Sequence, residues 1–192
     1  MTPSLILASA SPRRSELLKQ LGLVHSIQIA NIDETPLANE KPADYVLRVA
    51  HEKSLAVHQQ CAQGSVVLAA DTSVVLGDTI MGKPDNLAHA LSMLSRLSGT
   101  THQVYSAVSL RGRINQQVLN ISDVTFRTLS EQEIIDYWHT GEPADKAGAY
   151  AVQGLASIFI QSIQGSFSGI MGLPLFETAK ILSNEGIKVF NE

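Results

Sequence analysis

An aspartate in the middle of an apolar, β-branched run is the first residue of this sequence that folding alone does not ask for. Asp71 sits inside VVLAADTSVVL. An unpaired carboxylate in a buried strand costs several kcal/mol or becomes neutral. The chain must therefore give Asp71 a cation or hydrogen-bond donors, or release it into a cleft. Thr72 and Ser73 follow it and suit the cleft, where a carboxylate can act as a general base or hold a metal. The alternative is a structural aspartate bonded to a neighbouring loop. Asp33-Glu34, just past a strand-like segment, reads alone as a surface acidic pair. Beside Asp71 it becomes a candidate metal ligand, since Mg²⁺ is usually held by one or two carboxylates plus phosphate oxygens.

Cations occur where local stability would not put them. In Ser9-Ala10-Ser11-Pro12-Arg13-Arg14, two arginines occupy the first turn of a helix. The helix N-terminus already carries partial positive charge, so both work against the macrodipole. The arrangement makes sense if the strand-to-helix turn receives an anion; otherwise it is an ordinary capped surface helix. Gly82-Lys83-Pro84 holds a lysine in a stiffened turn, either aimed at phosphate or simply exposed. Glu142-Pro143-Ala144-Asp145-Lys146-Ala147-Gly148-Ala149-Tyr150, then Gln153-Gly154, mixes acids, a lysine and a tyrosine with small residues that allow close approach. Gln153 offers both donor and acceptor, as reading a base edge requires. Gly165 to Gly172 reads as a permissive, hydroxyl-bearing loop.

Several chemistries are excluded. There is no GxxxxGK[ST], no GxGxxG, no HExxH, and Phe167 stands where GxSxG would need its nucleophile. Cys61 is alone, so no intramolecular disulfide and no cysteine-rich zinc site can form. With 14 Lys+Arg against 18 Asp+Glu, the net charge of −4 argues against a broad nucleic-acid footprint. No run approaches the ~18 apolar residues of a membrane span, and the apolar run in the first ten residues is too short for a signal sequence. The expectation is a soluble, cytoplasmic protein.

The elements that must position these residues alternate between two periodicities. Leu5–Ala8 reads as a buried strand, followed by Ser11 as N-cap, Pro12 at the first helical position and a helix over Arg13–Leu21 stopped by Gly22. Further strands are predicted at His25–Ala30, Val66–Leu76, Thr101–Leu110, Val118–Phe126 and Ser157–Ile163. Helices are predicted at Ala43–Cys61, Asp85–Leu97, Ser130–Trp138 and Pro174–Ser183, with Ser130 and Glu133 in capping-box register. With 192 residues and no repeat or linker, the expectation is a mixed α/β fold: one large twisted sheet with helices on both sides.

Taken in series, the motifs around Ser9–Arg14, Asp33-Glu34-Thr35, Ala70-Asp71-Thr72, Gly82-Lys83-Pro84, Glu142–Tyr150, Gln153-Gly154 and Gly172-Leu173-Pro174 resemble the Maf family. These are house-cleaning nucleoside triphosphate pyrophosphatases whose fold is distantly similar to that of the inosine triphosphate pyrophosphatases. The resemblance runs from about Leu5 to Leu182. It implies one Maf-like domain over residues 1–192, with two lobes around a nucleotide cleft, and hydrolysis of a nucleoside triphosphate to the monophosphate and pyrophosphate. It implies Asp71 as proton acceptor, with Arg13, Thr72 and Gln153 choosing the substrate. Ser9, Arg14, Lys53, Lys83 and Lys146 would bind phosphates, and Glu34, Asp71 and Asp145 a divalent cation, Mg²⁺ or Mn²⁺. Thr72 after Asp71 resembles the branch acting on dTTP and UTP; the branch acting on 7-methyl-GTP differs there. A homodimer is a family-level expectation. Two other readings stay open: a nucleotide-binding regulator linked to septum formation, and the same enzyme acting on modified purine triphosphates.

Overall fold

A computed structural model describes residues 4–189 of the chain. Met1–Pro3, part of the leading run read above, lie outside the described residues, as do 190–192. Seven strands form one mixed sheet in the order β2-β1-β3-β5-β6-β7, with β4 paired to β3 beside that path. They are β1 (Leu5–Leu7), β2 (Ser26–Ile27), β3 (Val66–Leu76), β4 (Thr79–Met81), β5 (Thr101–Arg111), β6 (Asn115–Phe126) and β7 (Ile160–Gln164). The helices are α1 (Pro12–Gln20), α2 (Pro42–His58), α3 (Leu87–Leu97), α4 (Glu131–His139), α5 (Phe167–Met171) and α6 (Leu175–Asn184).

Strand alternation decides what each face of β3 meets. Val67 and Ala69 face α2, where they pack with Ile6, Ala8 and Val57. The even-numbered residues face the other way. Val66, Leu68 and Ala70 pack with Leu17 and Leu18 of α1 and Ile181 and Leu182 of α6. Val74 belongs to a second core with Met93, Leu94 and Leu97 of α3 and Ile134 of α4. The expectation of helices on both faces is met. Between these two cores runs a polar row, in which Thr72 of β3 stands opposite Ser106 of β5, and Ser106 opposite Asn120 of β6.

The edge of β3 opens the fold. Its first residues pair in parallel with β1, ending at Leu7 opposite Leu68. Pairing on that edge resumes with the antiparallel β4, where Val74 meets Met81. Residues 69–73 lie between the two partners, and Asp71 is at the centre of that gap.

Several element boundaries differ from those expected. The second strand shortens to Ser26–Ile27, an exposed pair on the sheet edge, because β1 has already ended and offers no further partner. In place of a strand from Ser157, Leu155–Phe159 coil as a 3-10 turn and β7 starts at Ile160. The backbone N–H groups of Leu155 and Ala156 donate to the Glu142 carboxylate, which turns the chain there. The segment from Gly165 contains α5, whose start is capped by Ser166 accepting from Gly169 N–H. The hairpin to β4 went unread although Gly77-Asp78 is a two-residue turn signal. The capping box of Ser130 and Glu133 forms as expected.

Candidate active site

The gap in the β3 edge opens into a cleft of about 550 Å³. Its walls come from the β1–α1 turn, the segment after β2, α2, β3, the end of β4, the two short 3-10 turns Glu142–Asp145 and Ala147–Ala149, and the end of α5.

On the α2 side, Asp71 is 6% exposed and Lys53 9%. Lys53 Nζ donates to Asp71 Oδ1 at 2.9 Å and to Glu34 Oε2 at 2.7 Å, so a single ammonium bridges the two carboxylates. The segment carrying Glu34 is tied down on α2. The Tyr45 hydroxyl donates to the Glu34 carbonyl at 2.9 Å, and Arg48 donates to the Thr35 carbonyl and to both oxygens of Glu40. Burial, then the negative field of Asp71 and Glu34, pushes the Tyr45 phenol up to about 12. Tyr45 is therefore a neutral donor at physiological pH.

On the opposite face, Arg14 turns beneath the start of its own helix. Its Nε donates to the Gly172 carbonyl at 2.9 Å, Nη1 to Ser9 Oγ at 3.1 Å and Nη2 to Thr72 Oγ1 at 3.4 Å. Gly172 has φ of +124°, a conformation L side chains rarely adopt, and so presents its carbonyl to Arg14. Burial pulls the guanidinium below its ordinary value, while Asp71 opposes that pull. Ser11 makes no side-chain cap to α1; its own N–H donates to Ser9 Oγ at 3.2 Å instead. Ser9 thus joins the turn to Arg14. Arg13 lines the cleft and has no ion pair among the described residues.

The remaining wall holds Lys83, exposed in its turn, and Asp145. Asp145 is ion-paired with Lys146. The loop containing Gly82 and the 3-10 turn Ala147–Ala149 are stitched together by Gly148 N–H donating to the Gly82 carbonyl at 2.9 Å.

Of the residues singled out in the sequence, the cleft gathers Ser9, Arg13, Arg14, Glu34, Lys53, Asp71, Thr72, Lys83 and Asp145. Lys146 touches this wall through Asp145, and Gln153 is exposed and outside the lining. Glu142 and Tyr150 serve the fold. Glu142 accepts from Tyr137 Oη and two backbone N–H groups, and a Cβ on Gly154 would run into its carboxylate. Tyr150 is buried, with its hydroxyl 2.8 Å from His102 Nε2. Sequence reasoning missed the apolar lining of Ile29, Ile80, Met81 and Met171. Finding Ile80 and Met81 required the Gly77-Asp78 turn.

Among the described residues, no three of His, Cys, Asp or Glu gather as a ready-made metal cage. Glu34 and Asp71, both facing one Lys53 nitrogen, fit a hard cation that arrives with phosphate oxygens of its own. No described helix is long and apolar enough to cross a membrane.

A family model described as "Maf-like protein" matches residues 4–185. A dTTP/UTP pyrophosphatase of Methylococcus capsulatus is 53% identical over 95% of this chain and 91% of its own length. One from Nitrosomonas europaea is 50% identical over 96% and 95%. A solved nucleoside-triphosphatase, a dITP/XTP pyrophosphatase of Mycobacterium abscessus, aligns with 66% of this chain and 75% of its own, at a TM-score of 0.41 and 15% identity. On the family model and these near full-length relatives, the chain belongs to the Maf family.

Proposed function

We propose that the cleft hydrolyses a nucleoside triphosphate, dTTP or UTP, between its α- and β-phosphates, releasing the monophosphate and pyrophosphate. The observation that carries this reading is the Asp71–Lys53–Glu34 bridge set in the gap of the β3 edge. Asp71 Oδ1 is held by Lys53, which fixes the carboxylate and leaves Oδ2 to take the proton from an attacking water. As the water oxygen bonds to the α-phosphorus, the bridging P–O bond breaks and its electrons leave on pyrophosphate. Arg13, Lys83 and the Ser9–Arg14 turn provide positive charge and donors where that anion forms, and Lys146 adds its charge beside Asp145. Mg²⁺ or Mn²⁺ would be held by Glu34 and Asp71, with Asp145 the third carboxylate on the lining, and supplies charge neutralisation of the phosphate oxygens. Arg13, Thr72 and Gln153 are the residues expected to choose the base.

The test is ³¹P NMR of the products formed from UTP and dTTP with Mg²⁺ or Mn²⁺. Monophosphate with pyrophosphate is the expected result. Diphosphate with inorganic phosphate overturns the assignment. Tight binding without turnover favours the regulator, and faster release from modified purine triphosphates moves the substrate class while keeping the chemistry.

A further inference from the structure

We propose that Ser106, a residue buried behind the cleft wall, is a positioning residue that makes Thr72 a hydrogen-bond acceptor toward the base, favouring uracil and thymine over cytosine. This rests on the nucleotide reading of the cleft.

The direction of the hydroxyls follows from counting protons. Ser106 is fully buried, and its Oγ lies 2.6 Å from the Gly169 carbonyl and 2.8 Å from Thr72 Oγ1. Both separations are those of O–H···O hydrogen bonds, and each needs one proton between its oxygens. A carbonyl has none to give, so the Ser106 proton goes to Gly169. The contact with Thr72 must then be made by the Thr72 proton. Among the described residues its other acceptor is the Gly172 carbonyl, at the longer distance of 3.4 Å. The hydroxyl of Thr72 is thus committed inward. One of its lone pairs leans toward Arg14 Nη2 at 3.4 Å, and the other remains for the cleft that Thr72 lines.

An oxygen in that state accepts and cannot donate. Turning its proton to a ligand would leave two oxygens facing each other lone pair to lone pair at 2.8 Å within a buried site. Thr72 therefore suits an N–H and not a bare phosphate oxygen. Uracil and thymine share an imide N3–H, whereas N3 of cytosine is an acceptor. A site built to accept a ligand N–H rejects the analogue that lacks it. Gly169 is held in place for this role: a Cβ there would lie 2.8 Å from Asn120 Oδ1, so the α5 backbone sits directly against the polar row.

The experiment compares kcat/KM for UTP and CTP in the wild type, Ser106→Ala, Ser106→Thr, Thr72→Val and the double variant Ser106→Ala/Thr72→Val. With its inward acceptor gone, the Thr72 hydroxyl can turn to either base. The UTP-over-CTP ratio should fall about tenfold in Ser106→Ala, the scale of one hydrogen bond, with the change in KM and not in kcat. Ser106→Thr should restore the ratio, and the double variant should match Thr72→Val alone. An unchanged ratio in Ser106→Ala, or equal losses on both nucleotides, overturns the proposal. Calorimetry with UMP and CMP reads the same preference without turnover. If no triphosphate is cleaved yet UMP binds better than CMP and Ser106→Ala removes that difference, the hydrolase reading fails and the relay stands. If Ser106→Ala does not fold, Ser106→Cys, a near-isosteric weak donor, must lower the ratio for the proposal to survive.

Discussion

Asp71 and Glu142 are both acids embedded in sequence that looks equipped for chemistry, and the fold uses them in opposite ways. Asp71 meets a lysine ammonium on the wall of a cleft, and that lysine is shared with a second carboxylate. Glu142 meets neutral donors that belong to the protein: a tyrosine hydroxyl and two backbone N–H groups at the start of a turn. A side-chain ammonium can give up a carboxylate to another cation or to substrate charge. Backbone donors cannot be exchanged without unmaking the turn. In the proposed reading, the partner and not the carboxylate separates the acid that works from the one that holds a turn.

The largest expected effect of that difference is on turnover. Asp71→Asn keeps the shape but takes away the charge and the proton acceptor. Pyrophosphate release should drop by about 10²–10⁴-fold with the melting temperature held or raised. Wild-type turnover in this variant, or loss of activity only through unfolding, would make Asp71 a structural residue like Glu142. Next, Lys53→Met removes the shared ammonium and should cost about 10²-fold in maximal rate. Because Lys53 holds the carboxylate oxygens a metal would use, the Mg²⁺ concentration for half-maximal rate should fall; a rise would show that the lysine organises the metal site.

Glu142→Gln should do the reverse of Asp71→Asn. It weakens three hydrogen bonds to a charged acceptor, at about 1.5–3 kcal/mol. Calorimetry should show melting roughly 4–10 °C lower, with activity at low temperature retained. Burial pushes the Glu142 carboxyl up, but donation from Leu155, Tyr137 and Ala156 outweighs it and holds the group below the ordinary carboxylate range. Its contribution is complete above that ordinary range and is lost as pH falls through the lowered value. His102 acts on stability at higher pH. Burial lowers it from 6.5 to about 4, so the unfolded chain takes up that proton first. Stability should therefore decline as pH falls from 6.5 toward 4, and His102→Gln should flatten that limb of a melting-temperature profile. The smallest effect is expected from Gln153→Ala, which should narrow the preference for UTP over GTP by about threefold, the scale of one exposed hydrogen bond. An unchanged ratio takes Gln153 out of base choice.

Much of this was legible from residue types. Val66–Leu76 is the observed β3 to the residue, because an apolar run rich in β-branched valines has the pattern of a strand covered on both faces. Asp71 stood out because it broke that run. The mixture from Glu142 to Tyr150 stood out for the same reason and misled in part, since a charge that knots a loop and a charge that meets a ligand look alike in sequence. Lys53 read as one more cation for phosphate, because spacing along α2 does not say that two carboxylates from other segments converge on it. The relay through Ser106 was illegible. A serine in a strand carries no mark of the carbonyl that will face it 63 residues away.

The polar row of Thr72, Ser106 and Asn120 also bears on how the strands find one another. The long antiparallel ribbon of β3, β5 and β6 runs 11 or 12 residues per strand, and β3 is buried on both faces. A one-residue slip would move the side chains of the slipped strand to the opposite face and take Thr72 and Ser106 out of line. A two-residue slip keeps every side chain on its own face, so hydrophobicity alone discriminates weakly against it. It would, however, set Thr72 opposite Val104 or Val108 and Ser106 opposite Ala70 or Val74, stranding hydroxyls in the interior at roughly 1–3 kcal/mol each. The row that divides the two cores therefore works as an alignment key during assembly. It favours the native pairing of the ribbon, and with that pairing Asp71 arrives at the gap between β1 and β4.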